Sequence, residues 1–385
     1  MPVEFVGIGA TNDGSELQAR SGPAFDREHT LKLARAHEAH GWDRVLYLYG
    51  SGAPDPAMVA SYVAAHTETL GLLVAHRPNV SYPTFAAKTF ATLDQICDGR
   101  LAVHFITGGN DREQRREGDT LSKDERYART REYISVVKRI WTSEEPFDHH
   151  GKYYSFENFV SDIRPARQPR PIVSFGGSSP AAYAAGGAEA DIYCLLGEPL
   201  EHTREQIASV RAAARAAGRA DLPRIQVGFR PIIAPTEEKA WDRAREILRR
   251  IEDNTSAGGA LRYAVTRPEN TGSQRLLAIA EKAERYGRTL WTPTATATGA
   301  IGNSMALVGT PETVAAALLD YYDLGVTVLN TNGYHILEDA VDFGREVIPL
   351  VRAEVARRDA EQAVADRAVP HDGPDLPAYR GSTTS

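Results

Sequence analysis

Short apolar runs alternate with longer amphipathic stretches along the whole chain. Runs rich in Val, Ile, Leu and aromatic residues occur at 4–9, 44–48, 71–75, 101–106, 172–175, 192–195, 226–234 and 326–331. Such side chains suit a packed, pleated surface, so each run is expected to form a buried strand. Between them lie segments such as "REHTLKLARAHEAHGW", "PTFAAKTFATLDQICDG", "DERYARTREYISVVKRIWTS" and "PLEHTREQIASVRAAARAAG". Apolar residues recur there at helical spacing, and most of these segments end near glycine, as helices do. Strands separated by helices of this length form βαβ units and hence a parallel sheet. About eight such units suit a closed (β/α)8 TIM barrel better than an open sheet.

Three regions depart from that rhythm. The stretch 147–172, "FDHHGKYYSFENFVSDIRPARQPRPI", mixes polar and aromatic residues and is expected to form a small hairpin. The stretch from about 252 to 303 is rich in glycine, serine and threonine, with few large apolar side chains. A segment of that kind predicts an insertion that forms a mobile active-site loop. The end of the chain, 359–385, is charged and proline-containing and is expected to be disordered or to wrap a partner. The expected organisation is therefore one barrel over 1–358, with an insertion at about 252–303 and a tail.

Composition narrows the function. The 385 residues carry a net charge of −7 without a basic stripe, which argues against nucleic acid as the main partner. No apolar run reaches the length of a membrane span, and "MPVEFVGIGA" has no basic region of the signal-peptide type. A cytoplasmic location away from the membrane is the expectation. The two cysteines, Cys97 and Cys194, lie in apolar settings typical of buried thiols. There is no HExxH and no CxxC, so no metal is expected.

In a barrel of this kind chemistry sits where strands end and βα loops begin. Those places read "GATNDG", "YLYGSGAPDP", "AHRPN", "ITGGND", "FGGSS", "LLGEP", "GFRPI" and "NTNGYHILED". They hold glycine, small hydroxyls, amides and aromatics, but no nucleophile elbow and few carboxylates that could act as a pair. Such a mouth suits a large planar cofactor better than a hydrolase. Within it, "VSFGGSSPAA" (173–182) runs from strand through Gly176 and Gly177 to Ser178, Ser179 and Pro180. A glycine turn entering a capped helix converges free amides and a helix dipole on one point, which suits a phosphate. The same residues also describe an ordinary strand-to-helix turn.

"ITGGND", "DERYART", "RQPRPIVSFGGSS", "ALVGTPETVAAAL" and "NGYHILEDA", taken in this order, resemble the bacterial luciferase-like flavin monooxygenases, and among them the alkanesulfonate monooxygenase branch. The resemblance covers about 4–350. It implies a (β/α)8 barrel that uses reduced FMN, supplied by a separate NAD(P)H-dependent flavin reductase, with O2 as co-substrate activated as a peroxyflavin. It also implies a homodimer or homotetramer. By the same resemblance Gly176, Gly177 and Ser178, extended by Ser179, match the loop that holds the FMN phosphate, and Tyr127 reaches that phosphate. Thr107 and Gly108 match residues beside the flavin ring.

On the substrate side, Arg230 in "VGFRPI" matches an arginine near the flavin, and Tyr334 in "NGYHI" matches a tyrosine that aids proton transfer or stabilises an intermediate. The pattern then departs from the sulfonate enzymes. Asn12 stands where they have a first-loop histidine, Ala53 stands at about the place of their cysteine, Ile232 replaces a second histidine, and Ala300 falls near their loop arginine. His76 and His335 could supply the missing imidazole, and Arg262, Arg267, Arg275 and Arg288 could swing inward; each arginine also reads as a solvated surface charge. His104, inside a strand, reads as a core or ring-edge histidine. The substrate implied is a small organosulfur molecule, first an alkanesulfonate cleaved to sulfite and aldehyde. A sulfone or a Baeyer–Villiger-type ketone is the alternative on the same chemistry. An oxidoreductase of this fold using the deazaflavin F420, a non-catalytic flavin carrier and a hydrolase are the competing classes.

Overall fold

Eight parallel strands close into a barrel in the computed structural model, which describes residues 2–256 and 268–368. In chain order the strands are β1 (Glu4–Gly9), β2 (Arg44–Tyr47), β3 (Gly71–His76), β4 (Leu101–Phe105), β5 (Phe147–His150), β6 (Ser155–Phe159), β7 (Ile172–Gly176), β8 (Ile192–Leu196), β9 (Arg224–Ile233), β10 (Arg285–Tyr286), β11 (Leu290–Trp291), β12 (Ala306–Gly309) and β13 (Val326–Thr331). The helices are α1 (Arg27–Ala39), α2 (Pro56–Ala64), α3 (Pro83–Ile96), α4 (Asp111–Arg116), α5 (Lys123–Thr142), α6 (Pro180–Glu189), α7 (Leu200–Ala216), α8 (Glu237–Ser256), α9 (Thr271–Ala280), α10 (Pro293–Ala297), α11 (Pro311–Tyr322), α12 (Ile336–Glu346) and α13 (Ile348–Ala368). The barrel runs β1-β2-β3-β4-β7-β8-β9-β13 and returns to β1, with every pairing parallel.

The strands read as continuous apolar runs because both of their faces are covered. Val6, Leu46, Leu73, Ala75, Ala102, Ile192 and Val328 point into the lumen. Their neighbours in sequence, such as Phe5, Val45, Val74, Val103 and Phe105, pack outward against the helices. The eight barrel strands lie where the apolar runs place them, with ends differing by one or two residues. The hairpin expected in 147–172 is β5 paired antiparallel with β6.

Two boundaries need correction. The insertion is not one mobile segment, because its residues from 268 onward are folded. β12 extends the sheet beside the far half of β9, β11 and β10 follow antiparallel, and Leu276, Ile279, Leu290, Trp291 and Ala295 are buried. Its threonines mislead because they work as small core residues. Thr292, Thr294 and Thr298 are buried, and their hydroxyls donate to the backbone carbonyls of Ala283, Ser304 and Thr294. The boundary at 359 also fails, since α13 continues to Ala368. Arg357 pairs with Glu354 and Glu361, and Arg358 with Glu354 and Asp323, so the charges there support a helix. Residues 369–385 lie outside the described residues.

Candidate active site

The loops at the C-terminal ends of the barrel strands form the mouth. At β7 the chain leaves through Gly176 into Gly177, whose φ of +148° suits glycine. A Cβ on Gly177 would fall 2.6 Å from the Ala182 Cβ and 3.2 Å from the Tyr127 hydroxyl. The Tyr193 hydroxyl donates to the Gly177 carbonyl at 2.9 Å and fixes the peptide. Ser179 caps α6, its hydroxyl accepting from the Ala182 N–H at 3.2 Å, and Pro180 occupies the first turn. Ser178 lies between this turn and Gly272 at the start of α9. Tyr127 comes from α5, whose start is fixed by a capping box of Ser122 and Glu125. One turn earlier on the same face, Lys123 donates to the Thr271 hydroxyl at 3.0 Å and has no carboxylate partner among the described residues. Gly176, Gly177, Ser178, Ser179 and Tyr127 are therefore brought together, around a helix N-terminus.

Thr107 and Gly108 leave β4, the strand beside β7. Gly108 has φ +81°, and the Gln114 side chain fills the space that a Cβ would take. Deeper in the lumen, His104 Nδ1 lies 2.9 Å from Ser174 Oγ, which lies 3.1 Å from Cys194 Sγ.

Two and three strands on from β7, at β9 and β13, the mouth is closed by charge pairing. Arg230, 4% exposed, donates to both carboxylate oxygens of Glu16 at 2.7 and 3.1 Å and to the Gly333 carbonyl at 3.0 Å. Its guanidinium also lies 4.0 Å from the centre of the Tyr334 ring. Burial pushes the Arg230 guanidinium down, but the Glu16 charge and hydrogen bonds, together with Tyr334 and Asp339, outweigh burial and raise it. Burial pushes the Glu16 carboxyl up, and the Arg230 charge with its hydrogen bonds holds it below its ordinary value. Tyr334 is buried, Thr294 lies beside its hydroxyl, and burial raises its pKa. Arg230 and Tyr334 thus lie against each other, and Glu16, which bonds Arg230, is not among the residues that the sequence singles out. Only its position in a loop hinted at it.

The other candidates separate. His335 begins α12, its N–H donating to Asp339 at 2.9 Å, and stands next to Tyr334 in the chain. Asn12 holds the first loop together, donating to the Ala24 carbonyl at 3.0 Å and accepting from the Gly14 N–H at 3.1 Å. It also lines a cavity of about 210 Å³ with Ala10, Tyr47, Leu48, Ala53 and Pro54. His76 does not face the mouth. It points outward between barrel and helices, bonded to the Tyr133 hydroxyl at 2.8 Å and packed on Phe90, and burial pushes it down to about 3. The strand alternation of β3 sends Ala75, not His76, into the lumen. Arg288 is also misplaced as a loop candidate: its side chain is 66% exposed and reaches Asp320 at 3.6 Å. Arg275 is committed to the buried Glu198 through two bonds of 2.8 and 2.6 Å. Arg262 and Arg267 lie outside the described residues. Among the described residues no group of three or more His, Cys, Asp or Glu side chains could hold a metal ion.

A closed parallel (β/α)8 barrel with a glycine–serine cradle at one strand end is an enzyme scaffold that presents chemistry at its C-terminal mouth. Residues 6–328 match the luciferase-like monooxygenase family, and the chain belongs to it. Solved structures share the fold. A riboflavin lyase, described with modified FMN and riboflavin as substrate, is 21% identical with a TM-score of 0.74, covering 92% of each chain. The EDTA monooxygenase of Chelativorans sp. BNC1 is 19% identical with a TM-score of 0.73, covering 92% of this chain and 95% of that one. An F420-dependent secondary alcohol dehydrogenase, 17% identical with a TM-score of 0.67, covers 91% of this chain and 99% of its own.

Proposed function

We propose that this protein is the oxygenating component of a two-component system, taking reduced FMN from an NAD(P)H-dependent flavin reductase and using O2 to oxygenate a small organosulfur substrate. The observation that carries this reading is the cradle. Gly177 can carry no side chain, two serines and the Tyr127 hydroxyl surround it, and the α6 dipole favours an anion there. These residues fit the phosphate of FMN. Gly177, Ser178, Ser179 and Tyr127 would hold that phosphate, Lys123 would add charge, and Thr107 and Gly108 would border the ring.

Bound reduced FMN supplies the electrons with which O2 is activated. The chain's own residues have other tasks. The amides and hydroxyls of the cradle fix the orientation of the ligand. The first loop, through Glu16 and Leu17, covers Arg230 and keeps water from it. Arg230 offers positive charge to negative charge that develops beside it, and Tyr334 holds a proton on its buried hydroxyl. An alkanesulfonate cleaved to sulfite and aldehyde is the first substrate reading. A sulfone or ketone is the second, favoured by one observation: Glu16 already matches the Arg230 charge, so a sulfonate must displace it.

The test combines binding and turnover. The protein is titrated anaerobically with reduced FMN and with reduced F420, oxygen is admitted, and sulfonates, sulfones and ketones are screened for sulfite release or oxygen insertion. Reduced FMN is expected to bind and to support oxygenation of one class. Preference for F420, or FMN binding without any turnover, overturns the reading. The active species is expected to be a homodimer or homotetramer by sedimentation.

A further inference from the structure

The lumen has two unlike walls. On β1, β2 and β3 it is lined by Val6, Leu46, Leu73 and Ala75. Across from them the adjacent strands β4, β7, β8 and β9 carry His104, Ser174, Cys194 and Gln226 on the same inward face. Ser174 is fully buried and joins the other two, with His104 Nδ1 at 2.9 Å and Cys194 Sγ at 3.1 Å. His104 and Cys194 sit inside the barrel yet keep part of their surface accessible, and that surface faces the lumen.

The chemistry of this wall is neutral and directional. Burial pushes the His104 imidazole down to about 4, so it is uncharged at neutral pH. Burial pushes the Cys194 thiol up to about 12, with Ser174 partly opposing, so it keeps its proton. Ser174 Oγ bridges Cys194 Sγ and His104 Nδ1; when its hydroxyl donates to Nδ1, the neutral imidazole carries its proton on Nε2, and Nε2 has no partner among the described residues. Beside Cys194 in the register, Gln226 is 5% exposed, and its Oε1 is buried without a partner. A buried amide oxygen left unpaired marks a place where a donor is missing.

We propose that Gln226 and His104 hydrogen-bond the polar edge of the flavin ring, the alternating C=O, N–H, C=O edge of its pyrimidine portion. The inference rests on the FMN reading above and extends it to two residues below the mouth. A carboxamide presents an acceptor and a donor side by side, which matches an adjacent N–H and C=O on a planar heterocycle. In the Nε2–H tautomer, which this assignment requires, His104 adds one further donor, held in direction by Ser174. The apolar wall on β1 to β3 has nothing to offer such an edge, so the two walls orient the ring.

The probes are FMN and 3-methyl-FMN, which lacks the N–H that Gln226 would accept from. The wild-type protein is expected to bind 3-methyl-FMN about tenfold more weakly than FMN. Gln226→Leu is expected to weaken FMN about tenfold and to abolish the discrimination between the two. His104→Leu is expected to weaken FMN and to shift the absorption band of the bound flavin, while His104→Gln keeps both within about threefold of wild type. Equal binding of the two flavins by the wild type overturns the inference, as does discrimination that survives in Gln226→Leu. Failure of the wild type to bind FMN at all is a different result, which removes the FMN reading itself and this inference with it. Ser174→Ala, which preserves the packing volume better than a leucine in the lumen, is expected to loosen the His104 orientation and give a smaller shift of the same band.

Discussion

The two sides of the mouth handle charge in opposite ways. At β7 the Tyr127 hydroxyl lies beside Gly177 at the start of α6, and Lys123, one turn before Tyr127 on α5, is bonded to a threonine and to no carboxylate among the described residues. At β9 and β13 the charges are already closed, with Glu16 on Arg230 through two hydrogen bonds and the Tyr334 ring against the guanidinium. The first side is built for an anion that comes from outside. The second contains its own anion, and a charged ligand there must exchange with Glu16 rather than fill a vacant place.

The largest effect is expected on the closed side. Glu16→Ala leaves Arg230 buried without its counterion, and losing one partner of a buried pair costs about 3–5 kcal/mol. Urea unfolding checks this, and Glu16→Ala combined with Arg230→Met is expected to recover part of the loss. The same pair sets an acid limit. The folded Glu16 carboxyl is held below its ordinary value, so its stabilisation is present above the unfolded value of about 4.3 and is lost as pH falls through the folded one. Glu16→Gln should lack this contribution to the acid limb. If Glu16→Ala unfolds like wild type, the pair is loose and the contrast between the two sides fails.

On the open side, Gly177→Val is expected to lower FMN affinity at least about 100-fold, near 2.7 kcal/mol. Its Cβ would press on Ala182 and the Tyr127 hydroxyl, and its backbone would be forced from φ +148°. Thermal unfolding separates this from loss of fold, and fluorescence of free FMN reads the affinity. Tyr127→Phe removes one hydroxyl from the same cradle and is expected to weaken FMN about tenfold, with stability nearly unchanged. Equal FMN affinity in both variants and the wild type would move the phosphate elsewhere.

The open side was legible in the sequence because its signal is local. "VSFGGSSPAA" holds strand, turn, cap and helix start in ten consecutive residues, and each residue type has a conformational reason. The barrel was legible for the same reason, since strands covered on two faces read as unbroken apolar runs. The closed side was not. Glu16 and Arg230 are 214 positions apart, and no spacing announces their pairing. His76 fails on alternation, because one residue along β3 decides between lumen and helix layer. The threonines of 292–298 fail because a buried threonine bonded to a carbonyl looks, in sequence, like a loop threonine.

The smallest expected effect tests where the insertion ends as a functional element. Arg288 lies just before β11, and its side chain is 66% exposed, with its nearest carboxylate, Asp320, at 3.6 Å and itself partly exposed. An exposed pair at that distance contributes less than about 1 kcal/mol, so Arg288→Ala should change stability by no more than about 0.5 kcal/mol. It should also leave FMN affinity and turnover unchanged, because β10 and β11 continue the sheet away from the barrel beyond β12. Arg275, in the same insertion, provides the internal contrast: it is tied to the fully buried Glu198, so Arg275→Ala should destabilise where Arg288→Ala does not. A loss of substrate affinity in Arg288→Ala with unchanged stability would bring this edge of the insertion over the mouth in solution, and Arg288 would join Arg230 as a charge available to the substrate.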